Sequence, residues 1–480
     1  MKILFIVKES TMHERMGIMC LSAALKERGH ETRLVLLDTH GEQGTVALAR
    51  SFAPGVVAYS VMTGEHGRML AFNRLLKKEI SFLAVFGGPH TTFFPDMIQE
   101  EGVDAICVGE ADEAFPEFCR RVAEGGDYRH SPNFWCRHGA EVVKNPLAPL
   151  IRDLDTLPFA DRAVMYEADP ALRNEGRKMF FAARGCPQKC TYCFNSRYND
   201  IYQGKGPVVR ARSPESIVRE IVEVKRQYPL NVVWIDDDNF LAKPGPWFFR
   251  FAALYKEQVG LPLSVNLRAD FIKEEIIAAL KGAGLDSAWM GIECGNEEKA
   301  NAVLKRELTN AEIERGVAIL HKHKVKIITQ NLIGLPVADS EAMDLETLDF
   351  NIRLKPAFAW SSILYPYPGT AIEVYAREQG LLGKETLLLE TNKRSTAFGF
   401  SPERVRWISN FHKLFGVVVR FPILRGGVGF LCRLPFGAFY TMVFYCWYGY
   451  NMKFRLYPFV SWRRELSQYV ALWWRFIRKT

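Results

Sequence analysis

The 480 residues are too many for one ordinary core and imply two to four folded units. Hydrophobic residues at 48% and charged residues at 24% describe a globular chain and exclude a disordered one. The net charge of +8 is unevenly placed: residues 401–480 hold thirteen Lys or Arg against two acids, leaving residues 1–400 at −3, which excludes a uniformly basic nucleic-acid binder.

The opening Met1-Lys-Ile-Leu-Phe-Ile-Val-Lys8 is too short an apolar run for a signal peptide and reads as a first buried strand. Apolar runs at Ile3–Val7, Thr32–Leu37, Val56–Ser60, Phe82–Phe86 and Ala105–Val108 predict strands. Helical patterns lie between them around Met19–Arg28, Gly67–Lys78, Thr92–Glu100 and Glu113–Glu124, with a weaker one near Ala47. This alternation predicts right-handed βαβ units and a doubly wound parallel sheet over residues 1–130. Gly87-Gly88 and Gly109 fall at strand carboxyl ends, where open α/β sheets bind ligands. Residues 131–170 predict a small hairpin, Phe134–Arg137 with Glu141–Lys144, and a proline-marked linker.

Over 171–395 the rhythm resumes with longer units. Strands are predicted at Lys178–Ala183, Asn231–Asp236, Leu263–Leu267, Ala288–Ile292, Lys326–Ile333 and Ala359–Leu364, and helices at Pro214–Arg226, Lys273–Gly282 and Asn310–Lys322. Six βα repeats fit a partial (β/α)6 barrel with its chemistry at the strands' carboxyl ends.

Ten cysteines are few for a disulfide scaffold, and most stand singly in apolar surroundings, as Cys107 does. A reducing cytoplasm, where thiolates survive to bind metal, is therefore expected. Three cysteines stand apart from this pattern. Arg184-Gly-Cys-Pro-Gln-Lys-Cys-Thr-Tyr-Cys193 sets Cys186, Cys190 and Cys193 on one loop after a strand, where they can converge on a metal centre. Zinc sites close with four ligands, and no fourth Cys or His follows within a dozen residues. Iron–sulfur clusters usually take four cysteines too, so a loop of three leaves one iron open. A zinc site completed from afar and three unrelated thiols are the alternatives.

This loop resembles the hallmark of the radical S-adenosylmethionine superfamily. The resemblance implies that Cys186, Cys190 and Cys193 ligate a 4Fe–4S cluster whose fourth iron takes the amine and carboxylate of S-adenosylmethionine. Tyr192 would lie against the adenine, and one electron into the sulfonium would give methionine and a 5′-deoxyadenosyl radical. Trp234-Ile-Asp-Asp-Asp-Asn-Phe240 resembles the acidic strand end that receives the amino group. Asp237 and Asp238 are its candidates, a solvated strand end being the alternative. Arg268 in Asn266–Asp270 is the candidate partner for the carboxylate, unless it forms an ordinary surface ion pair. Glu293 in Gly291–Gly295 is the candidate for the ribose. Gly334-Leu-Pro336 and Tyr365–Thr370 complete the pattern.

Residues 57–64, 86–91 and 108–113 resemble the cobalamin-binding domains that precede many such barrels. That implies cobalamin contacts from Ser60, Thr63, Gly87, Gly88, Gly109 and Glu110, the glycines letting a nucleotide tail approach the backbone. Relatives that ligate cobalt through histidine carry Asp-x-His-x-x-Gly after the first strand. Here His13 lacks the Asp and Gly17 is one place late, so no histidine ligand is expected. His13 and His90 read as ordinary loop residues. A flavodoxin-like domain that no longer binds cobalamin is the alternative.

Residues 396–480 predict a mainly helical tail, and 401–480 carry 21 of the chain's 60 aromatics. Leu434–Met452 is uncharged and long enough to span a bilayer. Pro435, Gly437, Gly449 and its tyrosines argue instead for the headgroup boundary of a membrane's inner face. A helical cap on the barrel and stacked nucleic acid are the other readings.

By layout the chain resembles the group that includes porphyrin-ester oxidative cyclases and polycyclic-lipid methylases. This implies a cobalamin-dependent enzyme that methylates an unactivated carbon of a lipid or tetrapyrrole, served by a one-electron donor such as a flavodoxin or ferredoxin. Ring closure without methyl transfer, RNA methylthiolation and a membrane-docking cobalamin sensor are the alternatives. Methylthiotransferases carry a second three-cysteine cluster, whereas Cys20, Cys107, Cys119 and Cys136 are scattered.

Overall fold

The computed structural model describes residues 1–10, 13–139, 141–383 and 395–457. It divides into two units, residues 1–175 with 201–207, and residues 176–200 with those from 208 on.

In the first unit, β1 (Lys2–Val7), β2 (Glu31–Leu36), β3 (Val56–Ser60), β4 (Leu83–Gly87) and β5 (Ala105–Cys107) run parallel in the order β2-β1-β3-β4-β5. The strand centres are buried almost without alternation, as a sheet covered on both faces requires. The order reverses between β1 and β3, so the loops after these two strands flank the crevice where such sheets take ligands. The hairpin predicted within the linker joins this sheet. Its strand β6 (Phe134–His138) adds antiparallel to β5, and β7 (Glu141–Lys144) adds antiparallel to β6, covering a β5 edge that would otherwise present unpaired backbone.

In the second unit, β8 (Arg177–Phe180) leads into a two-residue pairing of β9 (Ala183–Arg184) with β10 (Arg210–Ala211). The single strand predicted over 178–183 breaks because the amides of Ala182 and Ala183 turn to the Asp237 carboxylate, 2.8 and 2.9 Å away. β11 (Val232–Ile235), β12 (Leu263–Leu267), β13 (Leu285–Glu293), β14 (Lys326–Ile333) and β15 (Phe358–Ile363) follow β8 in a six-stranded parallel sheet, each beside its predecessor. Val233, Ile235, Val265, Met290 and Ile292 pack under helices Pro214–Gln227, Gly245–Gln258 and Glu274–Ala283. The alternate residues Trp234, Trp289 and Trp360 stand half-buried on the opposite face.

The tail helix Pro402–Arg420 lies on β15. A Cβ on Gly416 would stand 2.7 Å from the Ala359 carbonyl, so glycine sets the close approach. Trp407, Ile408, Phe411 and Phe415 are buried against Ile333, Leu348 and Ile363. Helix Gly437–Tyr450 and the turn Asn451–Leu456 then bring Met452, Leu456 and Tyr457 onto Ile328, Trp289 and Phe358. The cap reading of this region is thereby met as far as residue 457. Arg463, Arg464, Arg475, Arg478 and Lys479 lie outside the described residues. Among the described residues no helix is long and apolar enough to cross a membrane.

Candidate functional site

All six strands of the second sheet end on one edge, and the loops that leave this edge carry every residue singled out for the barrel. The cysteine loop is pinned from two sides. Thr191 donates its N–H to Leu304 (3.1 Å) and its hydroxyl to Val303 (2.7 Å), and its carbonyl accepts the Ile372 N–H (3.0 Å). Burial first, then the charges of Asp238 and the neighbouring thiols, push the Cys186 and Cys193 thiols up, Cys193 to about 12. Such thiols ionise readily only when a cation compensates them. This donor set suits a polynuclear cluster, in which each thiolate takes its own iron.

Asp237 is corrected. It is 2% exposed, its Oδ1 accepts the two amides at the β8 break, and its Oδ2 accepts from buried Lys243 at 2.6 Å. With both oxygens engaged it is a structural brace, not an acceptor for an ammonium. Asp238, which accepts a hydrogen bond from Asn195, is the candidate that remains for that role. Beside it, burial raises the Asp236 carboxyl to about 6 despite a hydrogen bond from Asn266.

Arg268 is buried and forms an ion pair with part-exposed Asp270, so the ion-pair alternative is met in part. Its Nε donates to Asp270 (2.8 Å) and its Nη2 to the carbonyls of Arg306 and Glu307, so only Nη1, buried and without a partner, is left for a carboxylate. A two-pronged grip would require releasing the loop that Nη2 holds.

Glu293 sits where β13 bulges. The register against β14 shifts between Gly291 and Glu293, and Glu293 adopts φ +66°, a conformation costly for any side chain. Its carboxyl occupies the space a Cβ on Gly291 would need, 2.5 Å from Oε1. Burial raises its pKa, while Arg306 and a hydrogen bond from Tyr192 oppose the rise.

Arg306, Lys243 and Tyr202 were not singled out from the sequence, and no local motif marks them. Arg306 donates to the Tyr192 hydroxyl (3.1 Å), the Cys190 sulfur (3.7 Å) and the Gly291 carbonyl (2.7 Å), leaving Nε buried without a partner. Lys305 and Glu307 on either side both have φ near +50°.

In the first unit, Ser60 ends β3, Gly87 ends β4 and Gly88 turns at φ +100°. A Cβ on Gly88 would lie 2.9 Å from the Val61 carbonyl and 3.2 Å from Ser60 Oγ. Thr63 Oγ1 is 3.1 Å from His90 Nδ1, and His90 stacks on His66 at 3.9 Å. Burial, then the charge of His66, lowers the His90 pKa to about 4. Gly109 and Glu110 are corrected. The Tyr202 hydroxyl stands 2.0 Å from where a Gly109 Cβ would be and accepts the Glu110 N–H at 2.8 Å, so the chain's own tyrosine occupies that backbone.

Residues 181–348 match the family profile of the radical SAM superfamily, and residues 1–119 match that of the B12 binding domain. The chain belongs to the radical SAM proteins that carry a B12-binding domain. An uncharacterized methyltransferase of Pyrococcus horikoshii is 22% identical over 76% of this chain and 79% of its own length. The anaerobic magnesium-protoporphyrin IX monomethyl ester cyclase of Cereibacter sphaeroides is 25% identical over 62% of this chain, which spans 49% of that relative. The hopanoid C-3 methylase of Methylococcus capsulatus is 22% identical over 74% and 67%. The methyltransferase TsrM of Kitasatospora setae, solved with cobalamin and a [4Fe-4S] cluster, superposes with a TM-score of 0.62 over 79% of this chain and 75% of its own, at 17% identity. That likeness is one of fold.

The cofactors of this radical SAM protein are those of its two domains: a 4Fe–4S cluster, S-adenosylmethionine and cobalamin. The residues present fit them. Three thiols share one loop, and the partnerless Arg268 Nη1 and Arg306 Nε lie at the same strand edge.

Proposed function

We propose that this radical SAM protein methylates an unactivated carbon of a hydrophobic substrate of the lipid or tetrapyrrole kind. The observation that carries the reading is the joining, in one chain, of a three-thiol loop backed by buried arginines with a B12-binding domain. When bound, the cluster supplies the electron that splits S-adenosylmethionine, and cobalamin carries the methyl group. Cys186, Cys190 and Cys193 hold the cluster. Asp238 accepts the ammonium of S-adenosylmethionine, Arg268 Nη1 its carboxylate, Glu293 its ribose, and Tyr192 flanks the adenine. Ser60, Thr63 and the Gly87-Gly88 turn receive the cobalamin tail.

Ring closure without methyl gain is the second reading, favoured by the cyclase relatives. RNA methylthiolation lacks support in the first unit, where Cys107, Cys119 and Cys136 are buried and burial pushes Cys107 and Cys136 to about 12. The protein works on the cytoplasmic side, receives electrons from a flavodoxin or ferredoxin, and meets its substrate at a membrane surface through the tail, where Ile423, Phe430 and Met442 are exposed. Anaerobic purification with iron, sulfide and cobalt analysis, followed by turnover with methyl-labelled S-adenosylmethionine, tests the assignment. Labelled product with release of both S-adenosylhomocysteine and 5′-deoxyadenosine is expected. A cyclised product without label decides for the second reading.

A further inference from the structure

At the amino-terminal edge of the second sheet, opposite the cysteine loop, lies a cleft of about 580 Å³. Lys324, Lys326, Lys355, Arg420 and Arg455 line it, together with His321, and no Asp or Glu does. Lys326 is paired with Asp286 at 3.0 Å. Among the described residues the other four cations have no ion-pair partner. Arg455 feels the crowding: burial, then the charge of Arg420, lowers its pKa.

A structural explanation is available for some of this charge, since the helices Asn310–Lys322, Ser340–Leu354 and Pro402–Arg420 all end here. Each carboxyl end offers about half a negative charge. Three ends offset roughly one and a half of the four charges, and more than two remain. An anion of the phosphate class is the chemistry that meets them.

The rim selects among phosphates. Phe421 lies between Arg420 and the lining Pro422 and is 48% exposed, and Ile423 is 92% exposed. Rings run on from Phe421 to Trp447 and Tyr450 with centroids 5.8 Å apart at each step. A free phosphate has no use for such a rim. Aromatic and aliphatic side chains beside arginines suit the headgroup layer of a bilayer.

We propose that this cleft binds the phosphate headgroup of an acidic phospholipid while Phe421, Ile423 and Tyr450 enter the interface beside it. The site gives a specific ligand to the membrane contact proposed above and rests on it. The test is flotation of the full-length holoprotein with vesicles of phosphatidylcholine alone and of phosphatidylcholine mixed with phosphatidylglycerol. Wild type should favour the acidic vesicles. R420Q/R455Q should bind them about thirtyfold more weakly, the equivalent of about 2 kcal/mol for two cations, and K324Q/K355Q should weaken in the same sense. R226Q/K256Q, which alters two cations outside the cleft, should bind as wild type.

If R420Q/R455Q and K324Q/K355Q retain wild-type affinity, or R226Q/K256Q loses as much as they do, the headgroup site is overturned while the surface contact stands. Absence of wild-type binding to either vesicle overturns both. Inorganic phosphate that binds the lipid-free protein through Arg420 and Arg455, with no preference for acidic vesicles, replaces the lipid by a free anion and also overturns the proposal.

Discussion

Glu293 and Arg306 show how much of the barrel site depends on one bulge. The left-handed turn at Glu293 brings its carboxyl over Gly291, and the Gly291 carbonyl accepts from Arg306, which reaches on to Tyr192 and Cys190. Gly291→Ala would place a methyl group 2.5 Å from the Glu293 carboxylate. We expect affinity for S-adenosylmethionine, measured by calorimetry on the reconstituted protein, to fall about tenfold to a hundredfold with iron content unchanged. Arg306 touches Cys190, a proposed ligand of the cluster. A cationic donor at a ligating sulfur stabilises the more negative, reduced state, because hydrogen bonds and net charge set cluster potentials. Arg306→Met should lower the midpoint potential by about 60 mV, one decade in the reduction equilibrium. Arg306→Lys should lower it less. Titration followed by electron paramagnetic resonance reads this without turnover, and an unchanged midpoint in Arg306→Met would remove the residue from that role.

Elements were legible in proportion to how strictly their period is kept. β3, β12 and β14 have the bounds predicted for them, β3 as an apolar run and the other two with polar residues among their buried ones. Helix Ser340–Leu354 was not legible, since Asp344, Thr347 and Asn351 stand buried on its inner face and interrupt the apolar stripe. The same polar face fastens the tail. Arg404 donates to Asp344 at 3.1 Å, and the Gly334 N–H donates to its other oxygen at 2.9 Å. Burial nevertheless raises Asp344 to about 7, with Arg404 only partly opposing it. The folded protein therefore keeps a proton there that the unfolded chain releases near the ordinary carboxyl value of 3.8. Stability should fall as pH rises from about 4 to about 7, with a slope approaching 1.4 kcal/mol per pH unit. Urea unfolding at about pH 5 and about pH 7.5 measures this, and Asp344→Asn should flatten the difference. An equal slope in that variant would assign it to other groups.

Across the whole molecule, the residues least legible in the sequence are those whose partners lie farthest along the chain. The cysteine spacing is local and announces itself. Arg306 meets Cys190 across 116 positions, and Tyr457 meets Ser264 across 193, so neither contact leaves a pattern in any window. Tyr457 also shows why the tail is more than a surface attachment. Its hydroxyl is 3.0 Å from Ser264 Oγ and accepts the Trp289 N–H at 3.0 Å, while the Arg177 guanidinium lies 4.9 Å from its ring. The tail thereby closes the amino-terminal end of the sheet face whose other end carries Glu293. Tyr457→Phe keeps the ring and strands the Trp289 N–H, while Ser264 keeps its bond to Ser287, a cost of about 1–3 kcal/mol in denaturant unfolding. Truncation after Phe400 goes further and uncovers Ile333, Ala359 and Ile363, which the tail helix buries. That chain should be recovered only as aggregate. Soluble, folded protein from the truncation would show that the barrel stands without its cap and that the tail serves the surface alone.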